Sequence, residues 1–115
     1  MISPSDAERK YEEFLQSLRD DQPVWTLRNE VGYAKWSTGD PPNIVPFWSS
    51  EEQARACSAT TFAGYEPESI PAEQFVAEWL DLLAKQGLFV GINLTVEMAG
   101  VDVTPDRLRE DLHSH

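Results

Sequence analysis

The chain has 115 residues, a formal net charge of −11, one cysteine, two histidines and four tryptophans. A single cysteine excludes an internal disulfide, and a chain of this length can form a core without a disulfide or a metal. The acidity argues against binding to nucleic acid or to anionic lipid, since like charges repel.

The first predicted element is a helix that begins after Ser5. Ser5-Asp6-Ala7-Glu8 matches a capping box, and apolar residues from Ala7 to Leu18 follow at helical spacing. We expect the helix to end at Asp20–Pro23, because a residue before proline avoids helical angles.

Three short strands are predicted next. Strand-forming residues occupy Val24–Arg28, Tyr33–Trp36 and Ile44–Trp48, and the segments between them have turn or loop composition. Strands joined so closely are expected to pair antiparallel as a three-stranded meander. Pro46 predicts an edge or a strand end for the third of them.

Two helices are predicted after the meander. Ser50-Glu51-Glu52-Gln53 is a second capping box, and its helix should reach about Phe62 with the small residues Ala54, Cys57, Ser58 and Thr61 on its inner face. Gly64–Ser69 has the composition of a connector. The next helix starts at Pro71 and shows the longest helical period, in Ala72, Phe75, Val76, Trp79, Leu80 and Leu83.

The last third contains an uncharged segment, Leu88–Leu94, which does not alternate and is typical of a central strand buried on both faces. A short strand at Val101–Val103 and a helix from Thr104 and Pro105 complete the order α-β-β-β-α-α-β-(β)-α. The predicted class is α+β, with one domain over residues 1–115 and an ordered core over about residues 5–112.

Residues 39–103 hold most of the net charge. This segment contains ten acidic residues and only two basic ones, Arg55 and Lys85, which gives a net charge of −8. Such a field attracts basic partners, although acidity can also serve solubility alone.

The usual catalytic groups are scarce. Both histidines, His113 and His115, belong to the last three residues, and Cys57 falls in a predicted helix with no histidine nearby. No cysteine or histidine pair has metal-ligand spacing. Glu66 with Glu68, or Asp20 with Asp21, could chelate a hard cation weakly, but no calcium-loop pattern is present. We therefore expect no enzyme activity, no cofactor and no metal.

The tryptophans have two readings. Trp79 belongs to the apolar face of the long helix and is expected in the core, whereas Trp25, Trp36 and Trp48 lie on or next to strands and could be core residues or exposed anchors for a partner.

Several motifs carry a family resemblance. Tyr11…Phe14, Val24–Leu27, Gly64–Pro71 and Phe75…Trp79-Leu80 together resemble the bacterial "domain of unknown function 2750" family, from about Tyr11 to Leu112. The resemblance implies a small cytoplasmic bacterial protein with no established activity. The order of elements is also loosely similar to serine-sensitivity-enhancing proteins of secretion gene clusters, and small acidic domains of this sort are often similar to immunity proteins that block antibacterial toxins.

The leading hypothesis is an immunity-type inhibitor that binds a basic protein, such as a cognate toxin domain, in the cytoplasm. The predicted contacts are acidic residues and two aromatic anchors: Asp40, Trp48, Glu51, Glu52, Tyr65, Glu66 and Glu68. The alternative is a housekeeping adaptor or regulator that binds a cellular protein or a small ligand.

Overall fold

The computed structural model describes residues 4–35, 43–95 and 100–113, and these contain both helices and strands. The α+β class predicted from the sequence is confirmed. In chain order the elements are α1 (Pro4–Arg19), β1 (Val24–Arg28), β2 (Ile44–Phe47), α2 (Glu51–Ser58), β3 (Glu66–Ile70), α3 (Ala72–Gln74), a π-helical turn (Phe75–Trp79), α4 (Leu80–Lys85), β4 (Phe89–Ile92), β5 (Val101–Val103) and α5 (Pro105–His113).

The prediction of a three-stranded meander is wrong, because the strands form two separate sheets. β1 pairs antiparallel with β3, while β4 lies between β2, to which it is parallel, and β5, to which it is antiparallel. The meander fails because β1 takes its partner from Gly64–Ser69, the segment predicted to be a connector. Proline and charged residues lower strand propensity, yet an edge strand tolerates both.

Several predicted bounds also differ from the structure. The long helix begins at Ala72 and not at Pro71, and β2 ends at Phe47 and not at Trp48. Tyr33 forms only an isolated bridge with Arg28, Ala34 and Lys35 belong to no strand, and Trp36 lies outside the described residues. α1 begins at Pro4 and not after Ser5. α2 ends at Ser58, short of Phe62.

The start of α2 follows its capping motif. The Ser50 hydroxyl accepts a hydrogen bond from the Gln53 N–H at 3.3 Å, which satisfies one of the free donors of the first turn. The predicted inner face is only partly correct, because Ser58 is half-buried and Thr61 is exposed beyond the end of the helix. Ala54 and Cys57 are buried on that face. Both belong to a compact cluster around Trp48 that also includes Leu27 and Phe62.

Backbone hydrogen bonds join the two sheets at one pair of residues. The Trp25 N–H donates to the Trp48 carbonyl at 2.8 Å, and the Trp48 N–H donates to the Trp25 carbonyl at 2.7 Å. The Trp48 indole N–H donates to the Leu94 carbonyl at 2.9 Å, and the buried Thr26 hydroxyl donates to the Pro46 carbonyl at 2.8 Å. Trp48 therefore belongs to the end of one sheet and to the flank of the other.

The larger core cluster lies between the three-stranded sheet and the long helix of residues 72–85. Phe75 meets Phe14 and Phe47 edge to face, with ring centroids 6.1 and 4.9 Å apart. β4 runs through this core as the predicted central strand, with Val90 and Ile92 fully buried.

The long helix contains a π-helical turn at Phe75–Trp79, in which the Leu80 N–H donates to the Phe75 carbonyl. The extra residue in this turn brings Phe75 and Leu80 to the same buried face, although four residues lie between them in the sequence. Trp79 is only half-buried, so its predicted place inside the core is corrected to the margin of the core.

Asn93 ties α1 to the ends of β2 and β4. Its backbone takes φ of 48°, a conformation that asparagine tolerates better than most residues, and its side chain is fully buried. The Asn93 side-chain oxygen accepts the Ser49 N–H at 2.9 Å, and its carbonyl accepts the Lys10 ammonium at 3.0 Å.

We expect Trp48→Ala to lower the free energy of unfolding by about 3–5 kcal/mol, because it opens a cavity where the two sheets meet. Trp79→Ala should cost less, about 1–3 kcal/mol, since a half-buried side chain leaves no closed cavity. Urea denaturation measures both, with the exposed Glu73→Ala as a control expected within about 0.5 kcal/mol of the wild type. Equal losses for the two tryptophans would contradict the placement of Trp79 at the margin.

Candidate functional site

An open cleft of about 680 Å³ lies beside β3, where the turn after β1 faces the start of β3. We call it the β3 cleft, and its lining consists of Arg28, Asn29, Glu30, Val31, Gly64, Glu66, Pro67 and Glu68. The antiparallel register places Arg28 opposite Glu66, which brings the two walls together.

The charges of the cleft are only partly paired. Arg28 forms an ion pair with Glu68 at 2.9 Å, and the Tyr33 hydroxyl donates to the other oxygen of Glu68 at 2.8 Å. Glu30 and Glu66 are exposed, and neither forms an ion pair within the part of the chain that the structure describes. Three carboxylates and one guanidinium leave the cleft with a net charge of −2.

An asparagine turn forms one wall of the cleft. The Asn29 side-chain oxygen accepts the N–H groups of Val31 and Gly32 at 2.9 and 3.0 Å, and the Asn29 N–H donates to the Gly32 carbonyl at 2.9 Å. The turn holds Val31 at its tip with 95% of the residue exposed. An apolar contact point therefore stands next to the unpaired carboxylates.

Tyr33 connects the cleft to the aromatic residues at the margin of the core. Its ring lies edge to face with Trp79, the centroids 4.7 Å apart, and the Arg28 guanidinium lies 5.6 Å from its centroid. Behind Tyr33 is a more apolar hollow of about 440 Å³, lined by Tyr33, Lys35, Val45, Glu78, Trp79, Leu82, Leu83, Gln86 and Leu88. The π-helical turn contributes Glu78 and Trp79 to this hollow.

The residues predicted as partner contacts do not form one surface. Glu66 and Glu68 share the β3 cleft, whereas Glu51 and Glu52 begin α2 and do not line it. Glu51 is paired with Arg55.

The two predicted aromatic anchors have different surroundings. Trp48 is fully buried, which removes it from any surface that a partner could contact. Tyr65 is half-buried and packs on Phe62, with ring centroids 6.1 Å apart. The prediction for Asp40 falls outside the described residues.

Sequence reasoning missed Arg28, Glu30, Val31 and Tyr33 as members of the site. The turn at Asn29–Gly32 was predicted, but its proximity to Glu66 follows only from the pairing of β1 with β3. A strand interpretation of Glu66–Ile70 would have placed Arg28 opposite Glu66 and indicated the cleft.

Two further searches over the described residues gave no candidate. No group of three or more histidine, cysteine, aspartate or glutamate side chains in those ranges could hold a metal ion. Within the same ranges, no helix is both long and apolar enough to cross a membrane.

The stability of the protein should depend on Tyr33 at alkaline pH. Burial, followed by the hydrogen bond to Glu68, raises the pKa of Tyr33 above its ordinary value of 10.0. The unfolded chain therefore loses this proton at a lower pH than the folded protein does. The contribution of Tyr33 to the free energy of unfolding is fully present below pH 10.0 and declines as the pH rises through the folded-state pKa.

Urea denaturation of the wild type and of Tyr33→Phe between about pH 8 and pH 11 tests this dependence, because only the wild type loses the proton. We expect the difference in unfolding free energy between the two proteins to narrow with rising pH. A difference that stays constant over that range would mean that Tyr33 titrates alike in the folded and unfolded states.

Comparison with known proteins gives a family. The profile of the family described as "Protein of unknown function (DUF2750)" matches residues 11–112. The searches of curated proteins and of solved structures returned no match. Because the matched region covers most of the chain, this protein belongs to the DUF2750 family.

Proposed function

We propose that this protein is a small protein-binding domain of the immunity type, and that its β3 cleft receives a basic surface of a partner protein. The carrying observation is the incomplete pairing of the cleft. Arg28 neutralises Glu68, while Glu30 and Glu66 stay exposed beside the protruding Val31. In this proposal the partner is a cytoplasmic toxin domain whose basic active-site cleft the protein occludes.

The distribution of charge supports the choice of a basic partner. Residues 39–103 carry a net −8, and β3 lies within them. A field of one sign accelerates the encounter with an oppositely charged surface and disfavours like-charged competitors. Arg28 keeps Glu68 in a fixed position, so that the cleft keeps its shape while its outer carboxylates remain open to a cation.

The side chains of the cleft also support binding over catalysis. They are carboxylates, one guanidinium, an amide and aliphatic groups, and none is a thiol or an imidazole. Neutral-pH acid–base and nucleophilic chemistry usually relies on those two groups. An exposed valine and unpaired carboxylates are, by contrast, suited to contact with a basic protein surface that also carries an apolar patch.

Capture of the partner from the native host, followed by mass spectrometry, tests the proposal first. We expect the immobilised wild type to retain a basic protein, and Glu30→Lys combined with Glu66→Lys to lose it. Glu73→Lys combined with Glu110→Lys is the matched control, since it changes the net charge equally at exposed residues outside the cleft.

Association kinetics with the captured protein then separate steering from solubility. Reversal of both cleft charges should lower the association rate by about tenfold or more, because close charges act within a Debye length of about 10 Å at 0.1 M salt. The control pair should lower it by less than about threefold. Equal effects of the two variants, or an association rate indifferent to salt, would show that the cleft does not guide binding.

A further inference from the structure

Among the residues that the structure describes, the outer edge of β3 pairs with no other strand. β3 pairs with β1 alone, in a sheet of two strands. β1 in turn uses its far side for Trp48 and Ala34, which leaves the far side of β3 as the open edge of this sheet. Ser69, in the middle of that edge, is exposed.

The direction of each backbone group on β3 follows from the bonds of β1. Both backbone groups of Trp25 bond to Trp48, and the Leu27 carbonyl accepts the Ala34 N–H at 2.9 Å. Trp25 and Leu27 therefore point away from β3. Their register partners Ser69 and Pro67 must point away from β1, because groups alternate along an antiparallel pair.

The outward groups are unusually rich in acceptors. Pro67 has a carbonyl but no N–H, and Pro71, the next residue in the same alternation, also lacks an N–H. Ser69 therefore supplies the one N–H of residues 67–71 on this edge, next to the carbonyls of Pro67 and Ser69. No described residue is hydrogen-bonded to these three groups.

We infer that an extended basic segment of the partner adds to the outer edge of β3 as a further strand. Its backbone N–H groups donate to the Pro67 and Ser69 carbonyls, and one of its carbonyls accepts the Ser69 N–H. Its lysine or arginine side chains reach Glu66 and Glu30 in the adjoining cleft. The inference rests on the proposed function and specifies how the basic partner is held.

Charge and hydrogen-bond chemistry select the same occupant. An edge of carbonyls and carboxylates lacks donors, and a basic strand supplies them from its backbone and from its ammonium or guanidinium groups. Side chains at alternate positions of a strand share one face, so cations two residues apart would face the same side as the Glu66 carboxylate. Strand addition of this kind takes its affinity from main-chain bonds and its specificity from side-chain contacts.

The probe for the test is a short capped peptide of alternating arginine and threonine. Two analogues accompany it: one with N-methyl groups on its backbone amides, and one with citrulline in place of arginine. Titration of the ¹⁵N-labelled protein reports the position of binding through the amide signal of Ser69. Hydrogen exchange of the same amide reports whether it becomes bonded.

We expect the basic peptide to shift the Ser69 signal and to slow its exchange by about tenfold or more at saturation. Both analogues should bind more weakly. Ser69→Pro removes the outward N–H without breaking a bond to β1, and should weaken binding by about threefold to tenfold, the worth of one hydrogen bond. Ser69→Ala keeps the N–H and should bind within about twofold of the wild type.

Binding of the N-methylated peptide as tightly as its parent, with the Ser69 signal unmoved, would overturn strand addition. This readout uses the wild-type protein and does not depend on the folding of Ser69→Pro. It would leave the proposed function standing if the captured partner still requires Glu30 and Glu66. Absence of any binding by the basic peptide overturns the inference as well. A captured partner that binds equally well after reversal of the cleft charges counts instead against the proposed function.

Discussion

The fold depends on the pair of backbone hydrogen bonds between Trp25 and Trp48. These two bonds, 2.8 and 2.7 Å long, are where the two-stranded sheet meets the three-stranded sheet, and the Trp48 side chain is fully buried in the smaller core cluster. They also occupy the backbone hydrogen-bonding groups on one side of β1 at Trp25. Because Trp25 faces Trp48, the opposite side of β1 is left for β3, and Arg28 comes to lie against Glu66 and Glu68. The acidic cleft is thus a consequence of the joint between the sheets.

Patterns that depend on local chemistry predicted their elements well. The Ser50 capping box starts α2, and the uncharged Leu88–Leu94 segment contains the buried central strand β4. The long helix was predicted from an apolar period that continues through its π-helical turn. That period does not reveal the extra residue between Phe75 and Leu80, since the same residues are apolar whether the helix is regular or contains a π-helical turn. Trp79 lies in this turn, and its partial exposure could not be predicted from the spacing.

The site was harder to predict than the fold because it depends on pairing between distant segments. Glu66 and Glu68 were singled out for their charge, yet only the register with β1 shows that Glu68 is held by Arg28 and Tyr33 while Glu66 is open. Trp48 was a candidate anchor because strands expose alternate residues. The second sheet covers it, and sequence alternation carries no information about a second sheet.

The composition of β3 also governs how copies of this protein meet one another. Exposed strand edges commonly pair with their own kind, since each edge offers donors and acceptors in turn. Two β3 edges brought together would have few donors, because the Ser69 N–H is the outward donor of each copy within residues 67–71, and the cleft carboxylates of the two copies would repel each other. Homotypic sheet extension, the first step towards fibrils, is therefore disfavoured at this edge. Pro67 and Pro71 make the strand hard to recognise in the sequence, since proline lacks the N–H that a paired strand uses. The same missing N–H groups make pairing between two copies of this edge unfavourable.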